Sequence, residues 1–371
     1  MNFSIPRETL LKGLTLTQGV VEKRNTMPIL SNILLEAQKG ENLHLTATDL
    51  EVGMTSFFPA QVKTPGKITL NARNLVEITR QLPNENISFL ALPNHVVEIV
   101  CGKSRFKLNG LPAEDFPSLP QVEQKTTFQF PAKELATMID HTSFSISTDE
   151  ARYNLSGVYV EQVEAGKLRL VSSDGHRLSL IDREIPDSKV SFKDAVIIPR
   201  KGLMEIRRLC GEVDGNVEIS LSKNNCSVKH ENTRLVIRLI DGEFPEYRQV
   251  LPDEAAQKVV VVDRQTLLGA LRRISILSQE KTKGVRFQFE NNALKITVNN
   301  PDLGEGEEEV EINYGQPTLE IGFNAKYFLD VLNIITTDQI ELLVGDSMTQ
   351  GLIRPYNDKS FKAIVMPMKL L

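Results

Sequence analysis

Leu168-Arg-Leu-Val-Ser-Ser-Asp-Gly-His-Arg-Leu178 alternates its side chains and then meets Asp174-Gly175, the pattern of a strand that runs into a tight turn. Leu43-His-Leu-Thr-Ala-Thr-Asp49 and Leu294-Lys-Ile-Thr-Val-Asn-Asn300 echo it. The turn formers Asp49, Asp174 and Asn300 stand 125 and 126 positions apart. One shared spacing could be chance, so other landmarks at the same interval decide the matter.

They exist. Asn71-Ala-Arg-Asn-Leu-Val-Glu-Ile, Pro199-Arg-Lys-Gly-Leu-Met-Glu-Ile and Asn324-Ala-Lys-Tyr-Phe-Leu-Asp-Val share a polar start, a basic residue and helical apolar spacing. Phe116-Pro117 and Phe244-Pro245 close the first two units, and Val365-Met-Pro-Met368 ends the third. Pro6 and Pro131 mark the first turn of an earlier helix in two units, and Asp263 is the capping residue in the third. Alternating runs such as Ile87-Ser-Phe-Leu-Ala-Leu92 and Val217-Glu-Ile-Ser-Leu221 fill the remainder, joined by Asn-containing turns. Three repeats of two helices on antiparallel sheet predict an α+β chain with domains at 1–121, 126–252 and 257–371. Polar boundaries at Gln121 to Gln124 and Pro252 to Gln257 separate them.

The 371 residues are 41% hydrophobic and 25% charged, an ordinary globular composition that excludes disordered and collagen-like classes. The N-terminus lacks the basic-then-apolar plan of a signal peptide and no apolar run approaches the ~18 residues that span a bilayer, so a cytoplasmic protein without membrane partners is expected. Cys101, Cys210 and Cys226 suit neither a disulfide framework nor a zinc site.

A net charge of -5 hides an uneven distribution. At about 100° per residue, Arg200, Lys201, Arg207 and Arg208 share one arc of a helix whose opposite side carries Leu203, Ile206, Leu209 and Cys210. Arg73 and Arg80 lie on one face of the equivalent first-unit helix, and Arg272 with Arg273 avoid the Leu267, Leu268, Leu271 stripe. A single charged face is usually only solvated. Recurring cationic faces, with glutamates gathered at Glu305 to Glu311, point to a polyanion touched at its phosphates and so without sequence preference.

Enzyme signals are incomplete. Gly102-Lys-Ser104 resembles the tail of a phosphate-binding loop, but position 97 is Val97 where that loop needs glycine. Asp174 and His176 have no serine or cysteine in a nucleophile turn, so no catalytic residue is assigned. The five histidines at 44, 95, 141, 176 and 230 lack metal-ligand spacing, and neither metal nor cofactor is expected. A nucleotide-processing enzyme and a protein-only scaffold are the alternatives; the broken loop disfavours the first and the basic helix faces the second.

Ser173-Asp-Gly-His-Arg-Leu178, Pro199-Arg-Lys-Gly202, Asp241-Gly-Glu-Phe-Pro-Glu-Tyr-Arg248, Ile276-Leu-Ser278, Asn299-Asn-Pro301, Gly322-Phe-Asn324 and Val365-Met-Pro-Met368 together give the whole chain a resemblance to the beta subunit of bacterial DNA polymerase III, the sliding clamps. The resemblance implies a non-catalytic processivity factor, a homodimer closed head to tail into a ring around duplex DNA. Its implied partners are a clamp loader, the polymerase III catalytic subunit and other proteins carrying a clamp-binding motif. It implies DNA contacts from Arg24, Arg73, Arg80, Tyr153, Arg200, Lys201 and Arg207. A peptide pocket would use Arg152, Leu155, Ser173, Gly175, His176, Arg177, Leu178, Pro245, Val250, Asn324, Tyr327, Val365, Met366, Pro367 and Met368. The dimer would join Phe106 and Leu108 to Ile276 and Leu277, with Lys103 and Arg105 facing Glu305, Glu307, Glu308 and Glu309. Three positions depart from the family pattern: Ser173 stands for a common threonine, Gln249 for a frequent arginine at the pocket rim, and Asp149 for an amide. The tail, ending at Leu371, is one residue longer than usual.

Overall fold

The computed structural model describes residues 1–21, 27–120, 126–164, 166–187, 190–192, 194–280 and 282–369. Arg24, the boundary at 121–124 and Leu371 lie outside them. The first repeat runs β1 (Asn2–Pro6), α1 (Arg7–Gln18), β2 (Asn32–Gln38), β3 (Asn42–Thr48), β4 (Val52–Pro59), β5 (Gln61–Thr64), β6 (Gly66–Asn71), α2 (Ala72–Gln81), β7 (Asn86–Ala91), β8 (Val96–Cys101) and β9 (Ser104–Asn109). The second runs β10 (Thr126–Pro131), α3 (Ala132–Ser143), β11 (Gly157–Val163), β12 (Lys167–Ser173), β13 (Arg177–Glu184), β14 (Val196–Pro199), α4 (Arg200–Glu212), β15 (Asn216–Leu221), β16 (Asn225–His230) and β17 (Thr233–Arg238). The third runs β18 (Lys258–Asp263), α5 (Arg264–Ile274), β19 (Gly284–Glu290), β20 (Ala293–Asn300), β21 (Gly304–Glu311), β22 (Leu319–Asn324), α6 (Ala325–Ile334), β23 (Gln339–Val344), β24 (Gly351–Pro355) and β25 (Phe361–Val365). Apart from β5, the three α+β domains share one element order.

One compact unit comprises residues 1–136 and 201–239. It holds a five-stranded sheet, β5-β1-β7-β8-β9, and an eight-stranded sheet, β10-β15-β16-β17-β4-β3-β2-β6. The other unit comprises residues 137–200 and 240–371, with an eight-stranded sheet, β14-β11-β12-β13-β25-β24-β23-β18, and a four-stranded sheet, β21-β20-β19-β22. Both eight-stranded sheets are antiparallel continuations from one repeat into the next. In the first, Val236 pairs with Gly53 and Ile237 with Val52; in the second, Ile364 pairs with Leu178 and Val365 with Arg177.

The alternating runs become strands because one face buries Leu, Ile, Val and Phe while the other meets water, and the helices lay their apolar stripes on that buried face. On α1 the buried stripe is Leu10, Gly13, Leu14 and Thr17; on α5 it is Leu267, Ala270, Leu271 and Ile274 at the matching positions. Asp263 caps α5 by accepting from the Thr266 amide at 2.7 Å, as the sequence predicts. Pro6 differs by one residue. Its ψ of 138° is extended, so it closes β1 and the helix starts at Arg7.

The turn that organises the reading recurs atom for atom. Asp49 Oδ1 accepts from the Glu51 amide at 2.9 Å, Asp174 Oδ1 from His176 at 2.9 Å, and Asn300 Oδ1 from Asp302 at 3.0 Å. An Asx turn needs only a short side-chain acceptor, which is why Asn300 can replace aspartate. The closing bridge recurs too: Leu111 N–H donates to Thr69 O at 3.2 Å, Ile240 to Ile197 O at 3.0 Å and Met368 to Gly322 O at 2.8 Å.

Candidate functional site

The Asp174 turn is held from both sides. Ser173 Oγ donates to Arg177 O at 2.8 Å and accepts from the Gly175 amide at 3.1 Å, while Gly175 adopts φ +88°. A Cβ at Gly175 would lie 2.4 Å from Arg152 Nη1, so glycine serves both backbone path and space. Arg152 in turn donates to Asp174 O at 3.2 Å.

Arg177 is buried rather than displayed to a ligand. Its Nε donates to Asp174 Oδ2 at 2.9 Å, Nη1 to Asp330 Oδ2 at 2.6 Å and Nη2 to Phe144 O at 2.6 Å, and it lies 4.5 Å over the Tyr327 ring. Burying a guanidinium requires such full pairing. Leu155, Leu178 and Val365 are likewise core, and the Asn324 side chain caps α6 at Lys326 N. The surfaces a peptide could touch are the exposed Arg152, Gly175, His176 and Pro245 and the half-buried Ser173, Val250, Tyr327, Met366, Pro367 and Met368. Gln249 is exposed on the short helical turn Tyr247–Val250.

Beneath them, Val171, Leu178, Leu180, Tyr247 and Ile364 form one apolar cluster, with Tyr159, Phe244, Val250 and Leu251 against it. Tyr159 and Phe244 stack at 4.9 Å. The Tyr247 hydroxyl donates to Glu161 and accepts from Arg169 Nη1 at 3.0 Å, and Arg169 forms a fork with Asp182 at 2.6 Å. Burial above all, with Glu161 adding to it, pushes the Tyr247 hydroxyl up to about 12, so it remains a donor at every ordinary pH. Arg248 closes the network on Glu161 at 2.7 Å. The sequence does not reveal this support, because Arg169 and Asp182 read as outward residues until the register pairs them across β12 and β13.

The tail continues past β25. Met366 N–H donates to His176 O at 2.9 Å, so the chain's last described stretch is stitched to the turn. Val365 belongs to the strand and Met366 to Met368 lie beyond it.

On the helices, Arg73 and Arg80 of α2 and Arg200 of α4 are exposed, as is Tyr153. The expected stripe on α4 is broken at two places. Lys201 is half-buried in an ion pair with Asp49, and Arg208 turns onto α1, donating to Thr15 O at 2.6 Å and to Leu16 O. The last carbonyls of a helix lack partners within it and carry partial negative charge, so they draw the guanidinium from solvent. Arg207 is half-buried. On α5, Arg273 forks onto Glu308 at 2.6 and 2.7 Å.

Arg105 and Phe106 are exposed and Leu108 half-buried on β9, the end strand of its sheet, with Lys103 exposed in the turn before it. Ile276 is 74% exposed, Leu277 is half-buried, and β21 ends its own sheet with Glu305, Glu307 and Glu309 exposed. Among the described residues no three His, Cys, Asp or Glu side chains gather as metal ligands, and no helix is long and apolar enough to cross a membrane.

Three family models match: DNA polymerase III beta subunit N-terminal domain over residues 1–120, central domain over 129–246 and C-terminal domain over 248–369. The Beta sliding clamp of Pseudomonas aeruginosa is 41% identical over the full length of both chains. A crystal structure of that organism's DNA polymerase III subunit beta superposes with a TM-score of 0.93 at 40% identity, all of each chain covered. A crystal structure of its sliding clamp bound to griselimycin also gives 0.93, at 41% identity and full coverage of both chains. With three repeats, three domain models and full-length relatives in agreement, the chain belongs to the DNA polymerase III beta subunit family, the sliding clamps that act as non-catalytic processivity factors in DNA replication.

Proposed function

We propose that two copies of this chain close head to tail around duplex DNA and carry polymerase III and other motif-bearing proteins on the pocket beside Asp174. The carrying observation is sheet continuation. Twice within the chain the last strand of one repeat pairs with the strand after the Asx turn of another, β17 with β4 and β25 with β13, in the same register. The strands left without that neighbour are β9 and β21. Applying the same register, Leu108 meets Gly304 of the partner subunit, Lys107 the partner's Glu305, Phe106 the partner's Gly306 and Arg105 the partner's Glu307. Phe106 would then sit over a glycine whose Cβ position is 3.1 Å from Ile274 and 3.2 Å from Leu277, an apolar centre inside a charged rim. The interface is heterologous and closes.

Domain limits at 1–121, 126–252 and 257–371 follow the repeat. Arg73, Tyr153 and Arg200 are exposed groups that suit phosphate contact, and the half-buried Lys201 and Arg207 belong to the same helix as Arg200. Opening falls to a separate loader, and the setting is the cytoplasm. The pocket takes a short extended peptide with apolar anchors: adaptable Met366 and Met368 line it and Tyr247 supports its floor. Retention on circular DNA after loading, lost when the circle is cut, is the expected behaviour; retention on the cut circle would refute encirclement.

A further inference from the structure

Both internal junctions carry a second contact besides the paired strands. At the first, Glu205 of α4 bonds Arg208, and Arg208 donates to the carbonyls of Thr15 and Leu16 at the end of α1. The fit is close: a Cβ at Gly19 would lie 2.5 Å from Glu205 Oε1. At the second, Asp330 of α6 bonds Arg177, which donates to Phe144 O just beyond α3 and lies 5.5 Å over the Phe144 ring. Counted from the residues preceding the helices, Asn71, Pro199 and Asn324, the carboxylates Glu205 and Asp330 occupy one position and Glu77 of α2 is its third copy. Arg80 matches Arg208 in the same count. Yet Glu77 and Arg80 are exposed, whereas Glu205 is 8% exposed.

The complementary end is equally open. Counted from Pro6, Pro131 and Asp263, Arg272 and Arg273 match Thr15 and Leu16, and Ile276 matches Gly19 and Phe144. The α5 carbonyls already accept weakly competing local donors, Ser275 Oγ on Arg272 O at 3.0 Å and Ile276 N on Arg273 O at 3.2 Å. Each carbonyl can accept twice. Of the two neighbouring cations Arg273 is neutralised by Glu308 and Arg272 is held aside on the Asn333 amide at 2.9 Å, so a further guanidinium meets one net positive charge there rather than two.

We infer that Arg80 latches each copy to the next by donating to the carbonyls that end the partner's α5, while Glu77 holds Arg73 at 3.0 Å. The latch rests on the head-to-tail reading above and repeats the contact made by Arg208; at the second junction the matching position is Asn333, and the guanidinium comes instead from Arg177 of β13. It moves Arg80 from the DNA face to the subunit joint. Ile276 of the partner subunit gives the guanidinium an apolar seat, as Phe144 does for Arg177.

Sedimentation equilibrium from nanomolar to micromolar concentration tests it, with wild type, Arg80→Ala, Arg80→Lys and Phe106→Ala. A closed pair has two identical joints, so a tenfold loss per joint appears as about a hundredfold rise in the dimer dissociation constant for Arg80→Ala. Arg80→Lys, which keeps the charge and loses the fork, is expected to recover less than half of that effect on a logarithmic scale. A dimer weakened by Phe106→Ala but unchanged by Arg80→Ala overturns the latch alone. A wild type that is monomeric at micromolar concentration overturns the head-to-tail reading. Loss of thermal stability of the isolated Arg80→Ala monomer would make the effect one of folding and also overturn the latch.

Discussion

The Arg177 guanidinium meets the Asp330 carboxylate at 2.6 Å, anchoring the strand that leaves the pocket turn to α6. Removing one partner of such a pair strands the other. Asp330→Ala is expected to cost about 3 kcal/mol in chemical denaturation and to weaken binding of a polymerase-derived peptide, because Tyr327 and the turn lose their common support. An unchanged unfolding midpoint would mean that Asp174 alone satisfies the arginine.

Tyr247→Phe removes one hydroxyl from beneath the apolar floor and leaves Glu161 and Arg169 each one hydrogen bond short. Destabilisation of about 1–3 kcal/mol is expected, with lower peptide affinity and an intact dimer. Peptide titration calorimetry and sedimentation read the two effects separately, and full affinity in the variant would show that the network does not position the pocket.

Deleting residues 366–371 is expected to abolish peptide binding and spare the dimer, since the stitch from Met366 to His176 O lies at the turn and not on β9 or β21. Calorimetry on the truncated protein checks this. Loss of the dimer as well would make the tail a structural strap.

The repeat, the strand period and the pocket turn were legible because each rests on local chemistry: an Asx turn, an alternation, a helix cap. What escaped the sequence is the destination of charges. Arg177 looks like a pocket arginine by position, and only the packing of α6 reveals that Asp330 joins Asp174 of the turn in holding it. Arg208 falls on the cationic arc of α4 by periodicity, yet the nearby end of α1 captures it. Long side chains choose among partners that the chain order does not bring together.

Charge reversal tests the register across the joint. Lys107→Glu would oppose the partner's Glu305, and the paired change Lys107→Glu with Glu305→Lys restores the attraction. Exposed pairs contribute about 0.2–1 kcal/mol each, so the single variant is expected to raise the dimer dissociation constant by roughly tenfold over two joints and the double variant to return it to near the wild-type value. Absence of rescue would shift the register.

His141 packs edge-on against Phe361 at 4.6 Å and bonds Thr137 O at 2.8 Å. Burial first, then Arg183, holds its proton affinity below the ordinary histidine value, against Thr137, Asp140 and Asp358. The unfolded chain therefore binds the proton more readily. This stability is full above about pH 6.5 and falls as pH drops below it. His141→Gln is expected to flatten the slope of unfolding free energy between pH 6.5 and 5; an unaltered slope would assign it to other groups.

The end strands carry opposite signs, Arg105 and Lys107 on β9 with Lys103 in the turn before it, against Glu305, Glu307 and Glu309 on β21. Like edges therefore repel while unlike edges attract. In the proposed closed pair every joint is thereby polarised in the same sense: a copy added the wrong way round would meet its own charge, so the two proposed pockets would share one orientation, and anything docking on one copy would approach the other from the same direction.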